Sequence, residues 1–484
     1  MHFTRLSFFH ILLSGGYRYW ERSSQLTHLM CSEKYMERTK DLLHGNIKKE
    51  LITLMLPLIM GNILQQFYNT IDSMIVGRYV GSTAFAAVGV AGSVMNLFIF
   101  MLNGGCNGIS VIFAELYGQK KWELLRRESF LSLIFGGGAT IGLSLVSLLF
   151  LSRILAVIKT PVEVAPYAWD YLWIILLGLP VTFFYNWCAG VLQAAGDTKI
   201  PLCTLVIAMC LNTALDFLFV AGLHMGTSGT AAATVTAQLT ASVICMAVMR
   251  KKHPEFFFGR KDCVMDSGMI KKTAKYGSVS ALHQSSLYIG KLLVQGAVNT
   301  GGTDMISAYT ATMRIEGFAN SFSDSGSVAI SVFAAQNRGA GKKDRVSSGL
   351  RQGLAVMITL AVCLSIIMTL TTNKAVILLM GDPSSEVLKN ADQYITVISI
   401  FYFLCFTGSS FVGFFRGIGR VEVPVIGTII QISVRVVLSY LLIGKLGLKA
   451  VALATGIGWA VIVLYQILVF RKTAYLQSSQ KIII

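Results

Sequence analysis

The second half of this 484-residue chain repeats the first, and each half consists of long apolar runs separated by short loops. Three pairs of glycines lie at one constant separation in the sequence, namely Gly81 and Gly302, Gly105 and Gly326, and Gly118 and Gly339. Thr234 and Thr455 match at the same separation, and three further pairs match at a slightly longer one: Gly190 and Gly413, Gly196 and Gly419, and Pro201 and Pro424. Such internal symmetry is typical of secondary transporters, in which two related bundles form a site at their interface.

Composition places these apolar runs in a lipid bilayer. Hydrophobic residues make up 54% of the chain and charged residues 13%, and the mean hydropathy is +0.64. A helix needs roughly 20 apolar residues to cross the hydrocarbon. Twelve segments qualify, six in each repeat, starting near Leu51, Ala84, Ser129, Tyr167, Lys199, Ser228, Ala274, Ile306, Ser347, Ala391, Pro424 and Gly447. The sequence predicts an all-α polytopic membrane protein with twelve transmembrane helices in two pseudo-symmetric six-helix lobes.

The repeat also predicts the domain boundaries. We expect an N-lobe over residues 47–249, with spans 1 to 6, and a C-lobe over 274–470, with spans 7 to 12. The charged, phenylalanine-rich segment 250–273 is the predicted cytoplasmic linker. Residues 1–46 are interpreted as a disordered or artefactual leader, with Met36 as an alternative effective start, and 471–484 as a C-terminal tail.

The net charge of +17 is best explained by membrane topology. Lysine and arginine cluster in one set of loops, at 120–127, 250–275, 338–351 and 416–420, and are sparse in the opposite set. Because cytoplasmic loops hold the excess of basic residues, we expect a cell-membrane protein, embedded in the lipid bilayer, with both termini in the cytoplasm. We expect no nucleic-acid partner, and a monomer.

Ionisable and amide side chains within the predicted N-lobe spans form a candidate ion site. Asp72 lies in span 1 and Asp216 in span 5, and Asn212 precedes Asp216 by four residues, so amide and carboxylate share a helical face. Asn186 in span 4 and Thr234 in span 6 would add further oxygens. This set suits a hard cation such as Na⁺, held by Asp72, Asn212 and Asp216, or a carboxylate that binds and releases protons.

The repeat provides an internal control on this interpretation. At the separations above, the C-lobe has other side chains at four of the five positions: Asp72 corresponds to Leu293, Asn186 to Ser409, Asn212 to Arg435, Asp216 to Ser439 and Thr234 to Thr455. A merely structural role would favour retention in both copies, so the asymmetry favours a specialised N-lobe site. The alternative is that Asn212 and Asp216 only join neighbouring helices by hydrogen bonds.

The C-lobe spans carry charges of their own. They are Lys291 in span 7, Arg314, Glu316 and Asp324 in span 8, and Arg435 in span 11. Unpaired charges at low dielectric are costly, so salt bridges that fix helix packing are expected; a role in substrate or proton binding is the alternative. The sequence contains no HExxH, GxSxG or kinase motif, and we expect neither an enzyme nor a bound cofactor beyond the coupling ion.

Four stretches resemble the multidrug and toxic compound extrusion (MATE) family. They are MLPLIMGNILQQFYNTIDSMIVGRYVG from residue 55, FYNWCAGVLQAAGDTKIP from 184, NTALDFLFVAG from 212, and TMRIEGFANSF with FAAQNRGAGKK between 312 and 343. The resemblance spans about residues 48 to 470.

The resemblance implies two six-helix lobes that open alternately to each side of the membrane. It implies antiport, with efflux of small organic cations such as drugs and dyes in exchange for inward Na⁺ or H⁺, and coupling through Asp72, Asn186, Asn212, Asp216 and Thr234. Some members also carry acids in spans 7 and 10, whereas this chain has Lys291 in span 7 and only Asp392 at the outer end of span 10. The alternative is a flippase for a lipid-linked saccharide, for which Lys291, Arg314 and Arg435 would suit a pyrophosphate.

Overall fold

The computed structural model describes residues 42–158 and 160–480, except for the side chains of 69 and 473–480. These residues form fourteen α-helices and short π- and 3-10 segments, without a strand in the described part. The helices are α1 Ile47–Tyr79, α2 Ser82–Gly118, α3 Trp122–Leu149, α4 Leu151–Val157, α5 Ala165–Leu177, α6 Leu179–Ala194, α7 Lys199–Asp216, α8 Gly226–Lys252, α9 Ser267–Val298, α10 Thr303–Gly339, α11 Lys343–Met380, α12 Ser385–Gly417, α13 Glu422–Leu446 and α14 Leu448–Gln480.

These helices account for the twelve predicted spans. In the described chain, nine helical segments are individually long and apolar enough to cross a membrane, and the bent pair α5 and α6 forms a tenth. The other two spans are α9 and α10, which are 32 and 37 residues long but more polar. They carry Lys291, Arg314, Glu316 and Asp324. The fold is therefore the predicted all-α membrane protein with two six-helix lobes.

The sequence repeat is also a structural repeat. Gly196 and Gly419, which follow α6 and α12, have φ angles of +88° and +84°. Gly226 and Gly447, a matching pair at the α7–α8 and α13–α14 turns, have φ of +63° and +57°. L-residues with a side chain rarely adopt this conformation, so both copies require glycine at the same turns.

The N-lobe helices are interrupted where their C-lobe counterparts are continuous. α3 and α4 are separate helices, whereas α11 runs unbroken for 38 residues. α5 and α6 meet at Gly178 with a bend of 48°, whereas α12 passes straight through the equivalent position. Pro180, just after this break, cannot donate a backbone hydrogen bond and favours the start of a new helix.

A third interruption follows Asp216, where α7 continues as a π-helix over Phe217–Gly222. The separation between matching positions is longer at Asp216 and Ser439 than at Gly226 and Gly447. The N-lobe therefore has two more residues than the C-lobe in this interval. The wider π turn takes up part of this excess, and π-bulges are frequently found at functional sites.

The two lobes meet along two seams, α2 against α9 and α1 against α10. At the end of the seams that carries the basic loops, α2 and α10 cross with their backbones in contact. A Cβ at Gly118 would overlap the carbonyl oxygen of Gln336, and a Cβ at Gly339 would overlap that of Glu115. Since Glu115 and Gln336 are themselves equivalent positions of the repeat, as Gly118 and Gly339 are, this crossing is symmetric.

Ion pairs reinforce the same end of the lobe interface. The Glu115 carboxylate accepts from Lys272 Nζ at 3.0 Å and from an Arg338 guanidinium nitrogen at 2.9 Å, both on C-lobe helices. A second pair joins Glu50 of α1 to Arg345 of α11 at 2.7 Å. The lobes are thus held together at the end with the basic loops.

The segments outside the lobes differ from expectation at their edges. Residues 1–41 of the predicted leader lie outside the described residues, but Leu42 is fully buried, and its carbonyl accepts from Asn337 and Arg345 at 3.2 Å. The packed structure therefore begins by Leu42. The predicted linker 250–273 is shorter than expected because α8 extends to Lys252 and α9 begins at Ser267.

Candidate functional site

The N-lobe site lies where α1, α7 and α8 meet. Asp216 and Asn212 on α7 are fully buried, while Asp72 on α1 and Thr234 on α8 are 6% and 5% exposed. The Asp72 and Asp216 carboxyl groups interact directly, and the Thr234 hydroxyl donates to Asp72 Oδ2 at 3.5 Å. The structure thus brings together four of the five residues predicted from the sequence.

Asn212 is the centre of this cluster. In the amide orientation that satisfies all its neighbours, Nδ2 donates to Asp72 Oδ1 at 2.7 Å and to Asp216 Oδ2 at 3.2 Å. The amide oxygen then accepts from the Thr234 backbone N–H at 3.2 Å. One amide therefore bridges two carboxylates, while Asp216 Oδ1 is buried without a hydrogen-bond partner among the residues that the structure describes.

Asn186, the fifth predicted residue, makes a different contact. Its amide nitrogen donates to the Thr182 carbonyl one turn earlier on α6, at 2.8 Å. Its hydrogen bonds within the described structure reach neither Asp72 nor Asp216. Depth in a span was readable from sequence, but the direction in which α6 presents this side chain was not.

Two tyrosines complete the surroundings of the acids and were not predicted. Tyr68 on α1 and Tyr171 on α5 are both buried, and both interact electrostatically with Asp72 and Asp216. Tyr68 precedes Asp72 by four residues, so the same helical spacing that linked Asn212 to Asp216 would have identified it. Tyr171 comes from a distant helix and left no local signal.

The C-lobe centre contains the predicted charges Lys291, Glu316, Asp324 and Arg435. These four interact electrostatically, but in the described part of the chain none of them has an ion pair within 4.0 Å. Arg435 instead donates to the Tyr309 hydroxyl, and Glu316 accepts from the Tyr394 hydroxyl, both at 3.4 Å. The expectation of direct salt bridges was wrong, because the helix spacing holds opposite charges too far apart.

Arg314 and Arg416 lie in environments opposite to those expected from the sequence, since Arg416 and not Arg314 is buried in the cluster. Arg314 is exposed and does not interact with the cluster. Arg416 on α12, which the sequence placed in a cytoplasmic loop, is 3% exposed, interacts with Asp324 and contacts His283 Nδ1 at 3.4 Å. The cluster therefore contains three cations and two carboxylates. The misassignment arose because α12 continues to Gly417, past the predicted end of the span.

The donor sets bear on which ion could bind. Among the described residues, no group of three or more His, Cys, Asp or Glu side chains is arranged to hold a metal. In the N-lobe, the Asn212 amide is assigned with its nitrogen towards the carboxylates, because this orientation pairs each donor with an acceptor. The predicted Na⁺ ligand set of Asp72, Asn212 and Asp216 would thus require this amide to rotate, whereas a proton can be accepted by the pair as it stands.

A third charged group lies outside the spans, where the linker meets the N-lobe. His253 is 1% exposed, and its ring nitrogens lie 2.9 Å from Glu255 and 4.0 Å from Asp197. Burial lowers the pKa of His253, but the two carboxylates outweigh it and raise this pKa to about 9. The next residues continue the anchor, since Phe256 is buried against Phe113 and Tyr117 of α2.

Comparison with known proteins matches both repeats. The MatE family model matches residues 57–218 and 280–441, two segments of equal length with one in each half of the chain. Among curated proteins, the probable multidrug resistance protein YpnP of Bacillus subtilis is 26% identical, covering 81% of this chain and 87% of the relative. The probable multidrug resistance protein YoeA of the same organism is 28% identical, but the match covers 59% of this chain and 63% of that protein.

Solved structures show the same fold. A structure titled as the outward-facing conformation of a multidrug resistance MATE family transporter aligns with a TM-score of 0.84 at 22% identity, covering 92% of this chain and 100% of that one. A Pyrococcus furiosus transporter of the MOP superfamily, whose title reports reverse polarity of the binding pocket, aligns with a TM-score of 0.82 at 22% identity, covering 90% of this chain and 98% of that one. Since the family model covers both lobes, this chain belongs to MatE, the multidrug and toxic compound extrusion family of membrane transporters.

Proposed function

We propose that this protein exports small organic cations in exchange for inward protons, through the buried pair Asp72 and Asp216. The observation that carries this proposal is the burial of two carboxyl groups on either side of the Asn212 amide. Two carboxyl groups with 6% and 0% exposure cannot both remain charged without a counter-ion, because they share one poorly solvated site. A single proton bound by the pair removes one of the two charges without moving the surrounding side chains.

Exchange follows from competition for the same negative charge. A cationic substrate stabilises the doubly ionised pair, whereas a proton neutralises it and removes the attraction for the substrate. An ion shifts a conformational equilibrium only by its differential affinity for the two states. Protonation of the pair would therefore favour the state that releases the drug, and its deprotonation the state that binds the next one.

The membrane arrangement supports export. We place the protein in the cell membrane as a monomer, with the basic loops and both termini in the cytoplasm. The lobes are held together at the basic end by Glu115 and the Gly118–Gly339 crossing. With this end closed, we expect the lobes to open towards the outside, as in a state that releases substrate.

The test is efflux of the cationic dye rhodamine 123 from proteoliposomes under an imposed pH gradient or an imposed Na⁺ gradient. We expect the pH gradient alone to drive efflux and Asp216→Asn to abolish it. Asp392→Asn makes the same change at an exposed position of α12 and serves as the matched control. Size-exclusion profiles check that each variant folds.

Two outcomes would contradict this proposal in different ways. Efflux driven by Na⁺ alone would identify the other coupling ion and require Asn212 to rotate. Normal gradient-driven efflux by Asp216→Asn would remove the N-lobe pair from the mechanism altogether.

A second candidate, a flippase for a lipid-linked saccharide, draws on one observation. The C-lobe cluster has more cations than carboxylates, and the Pyrococcus furiosus relative with the same fold is titled for a pocket of reverse polarity. However, three cations against two carboxylates leave a surplus of a single charge, less than a pyrophosphate requires. Translocation of a fluorescent polyprenyl pyrophosphate lipid without any ion gradient would favour the flippase over the exporter.

A further inference from the structure

We infer that the C-lobe cluster around Arg435 and Lys291 binds one anionic group of the transported molecule, so that the preferred substrates are organic cations that also carry a carboxylate. This inference rests on the proposed export function and specifies its substrate class. It concerns the C-lobe, which the coupling mechanism does not use.

The first argument is the position of Arg435. Arg435 and Ser439 occupy the C-lobe positions equivalent to Asn212 and Asp216, at the same repeat separation as Gly196 and Gly419. The equivalence is structural, since these two glycines, in the turns preceding the helices, have nearly equal φ of +88° and +84°. The location that holds an amide and an acid in one lobe therefore holds a guanidinium and a hydroxyl in the other.

The second argument is the unused hydrogen-bonding capacity at this position. Arg435 is 9% exposed, and its Nε is buried without a hydrogen-bond partner among the described residues. The Ser439 hydroxyl, one turn further along α13, is fully buried and likewise has no partner in the described part of the chain. A buried donor without an acceptor is destabilising. A carboxylate that accepts from both would remove this cost, and guanidinium groups are well suited to carboxylates.

The third argument is that Lys291 reaches the interface between the lobes. It lies on α9, one of the seam helices, and its Nζ is 5.7 Å from the centre of the Phe100 ring on α2 of the N-lobe. The neighbouring Tyr288 stacks on the same ring at 5.4 Å and donates to the Ser93 carbonyl at 2.9 Å. Lys291 is partly buried, and its contact with Phe100 places the ammonium group at the boundary between the lobes.

The charge balance of the C-lobe cluster predicts how many negative charges the bound group carries. Asp324 and Glu316 offset two of the three cations Lys291, Arg416 and Arg435, all at electrostatic range. Because none of the pairs closes to 4.0 Å in the described structure, the cluster can admit another group. One residual positive charge matches one carboxylate. A molecule with a cationic and an anionic end would place the former near the Asp72–Asp216 pair and the latter near Arg435.

The test uses two dyes that differ only at this group. Rhodamine 110 carries a free carboxylate, and rhodamine 123 is its methyl ester with the same cationic ring system. Binding is measured by fluorescence polarisation with the purified full-length protein in phosphatidylcholine nanodiscs without any gradient, after subtraction of empty discs. We expect the protein to bind the free acid at least about tenfold more tightly than the ester, the effect of roughly one charged hydrogen bond.

Substitutions localise the preference. Lys291→Met and Arg435→Gln should each bring the affinity ratio of the two dyes towards one. Lys445→Met removes the same charge from an exposed helix end and should leave the ratio intact. Two variants on different helices ensure that misfolding of one does not prevent the test. Equal affinity of the parent for both dyes, or an unchanged ratio in both variants, would overturn the inference.

A lipid headgroup is the other source of an anionic group, and a further arm separates the two. Addition of a small fraction of phosphatidylglycerol to the nanodiscs should leave the preference for the free acid. Selective loss of this preference would assign the cluster to a lipid and overturn the substrate inference. The export proposal is judged separately, since gradient-driven efflux of the ester does not depend on the ratio of the two affinities.

Discussion

The two lobes share one fold but differ in continuity and in the sign of their central charge. The N-lobe is interrupted near Phe150, at Gly178 and at the π-helix Phe217–Gly222, and its centre is an acid pair. The C-lobe counterparts α11, α12 and α13 are continuous, and the centre they help to form has an excess of cations. The two halves have therefore kept one overall fold, while their helix continuity and the charge of their centres have diverged.

This difference indicates which lobe is suited to change conformation when it binds an ion. Helix breaks supply backbone joints, and Asp216 of the acid pair, which we propose as the proton site, directly precedes one of them, the π-helix Phe217–Gly222. The C-lobe has neither the breaks nor an equivalent of Asp72, whose counterpart Leu293 is 46% exposed. We expect the N-lobe to change shape on protonation and the C-lobe to act as the more rigid partner.

The largest effect is expected from replacing Asn212 of the N-lobe by arginine, the residue found at the equivalent C-lobe position, Arg435. Asn212→Arg would set a fixed cation between Asp72 and Asp216, so the pair would no longer need a proton or a substrate. A bias of about 2.7 kcal/mol is enough to reduce coupled efflux roughly 100-fold. Rhodamine 123 efflux under a pH gradient measures this loss. Asn299→Arg, at an exposed helix end, is the control, and efflux by Asn212→Arg at the parental rate would contradict the comparison.

The next effect concerns His253, the residue that anchors the linker on the N-lobe. The ordinary pKa of histidine is 6.5, and that of His253 in the fold is about 9. Its protonated form thus stabilises the fold fully below about pH 6.5, and this contribution is lost as the pH rises through about 9. We expect His253→Gln to lower the free energy of unfolding by roughly 2–3 kcal/mol near neutral pH.

Thermal unfolding of the parent and His253→Gln across this pH range measures the effect. The gap between the two midpoints should narrow as the pH approaches about 9 and above, since the parent then loses its charge. A gap that does not vary with pH would show that the ring acts by packing against Phe256, and not by its charge.

A third prediction concerns the symmetric crossing of α2 and α10 at Gly118 and Gly339. Gly118→Ala and Gly339→Ala each place a methyl group against the partner backbone, which should weaken closure of the lobes by about 1–3 kcal/mol. Gly444→Ala, with no atom near the added Cβ, controls for the change in helix propensity. Hydrogen exchange at the ends of α2 and α10 measures the separation. Clearly unequal effects of the two substitutions on exchange would show that the crossing is not symmetric.

The smallest effect is expected from the ion pairs at the same end. Glu115→Gln removes the charge that binds Lys272 and Arg338 across the lobes, at a cost of about 1 kcal/mol, since both cations are partly exposed. Glu123→Gln breaks an exposed pair with Arg127 within α3 and should not alter exchange at the interface. Similar exchange in both variants would mean that the glycine crossing alone holds this end closed.

Helical spacing and the repeat were enough to predict most of the N-lobe site. Asn212 and Asp216 share a face, and α9 and α10 were predicted as spans although they are more polar than the others. Contacts between helices were not predictable, because no local pattern fixes the distance from Lys291 to Asp324 or the direction of Asn186. The two repeat separations indicated a small difference in length between the halves, but they could not reveal that the N-lobe forms a π-helix after Asp216.

The π-helix after Asp216 also records the order of events in the history of this chain. A duplicated gene begins with two identical halves, so a difference in length between them must have arisen after the duplication. The two-residue difference falls between Asp216 and Gly226, directly after an acid that the C-lobe lacks. The ancestral half was therefore a shared scaffold, and the division of labour between the lobes is a later acquisition on it.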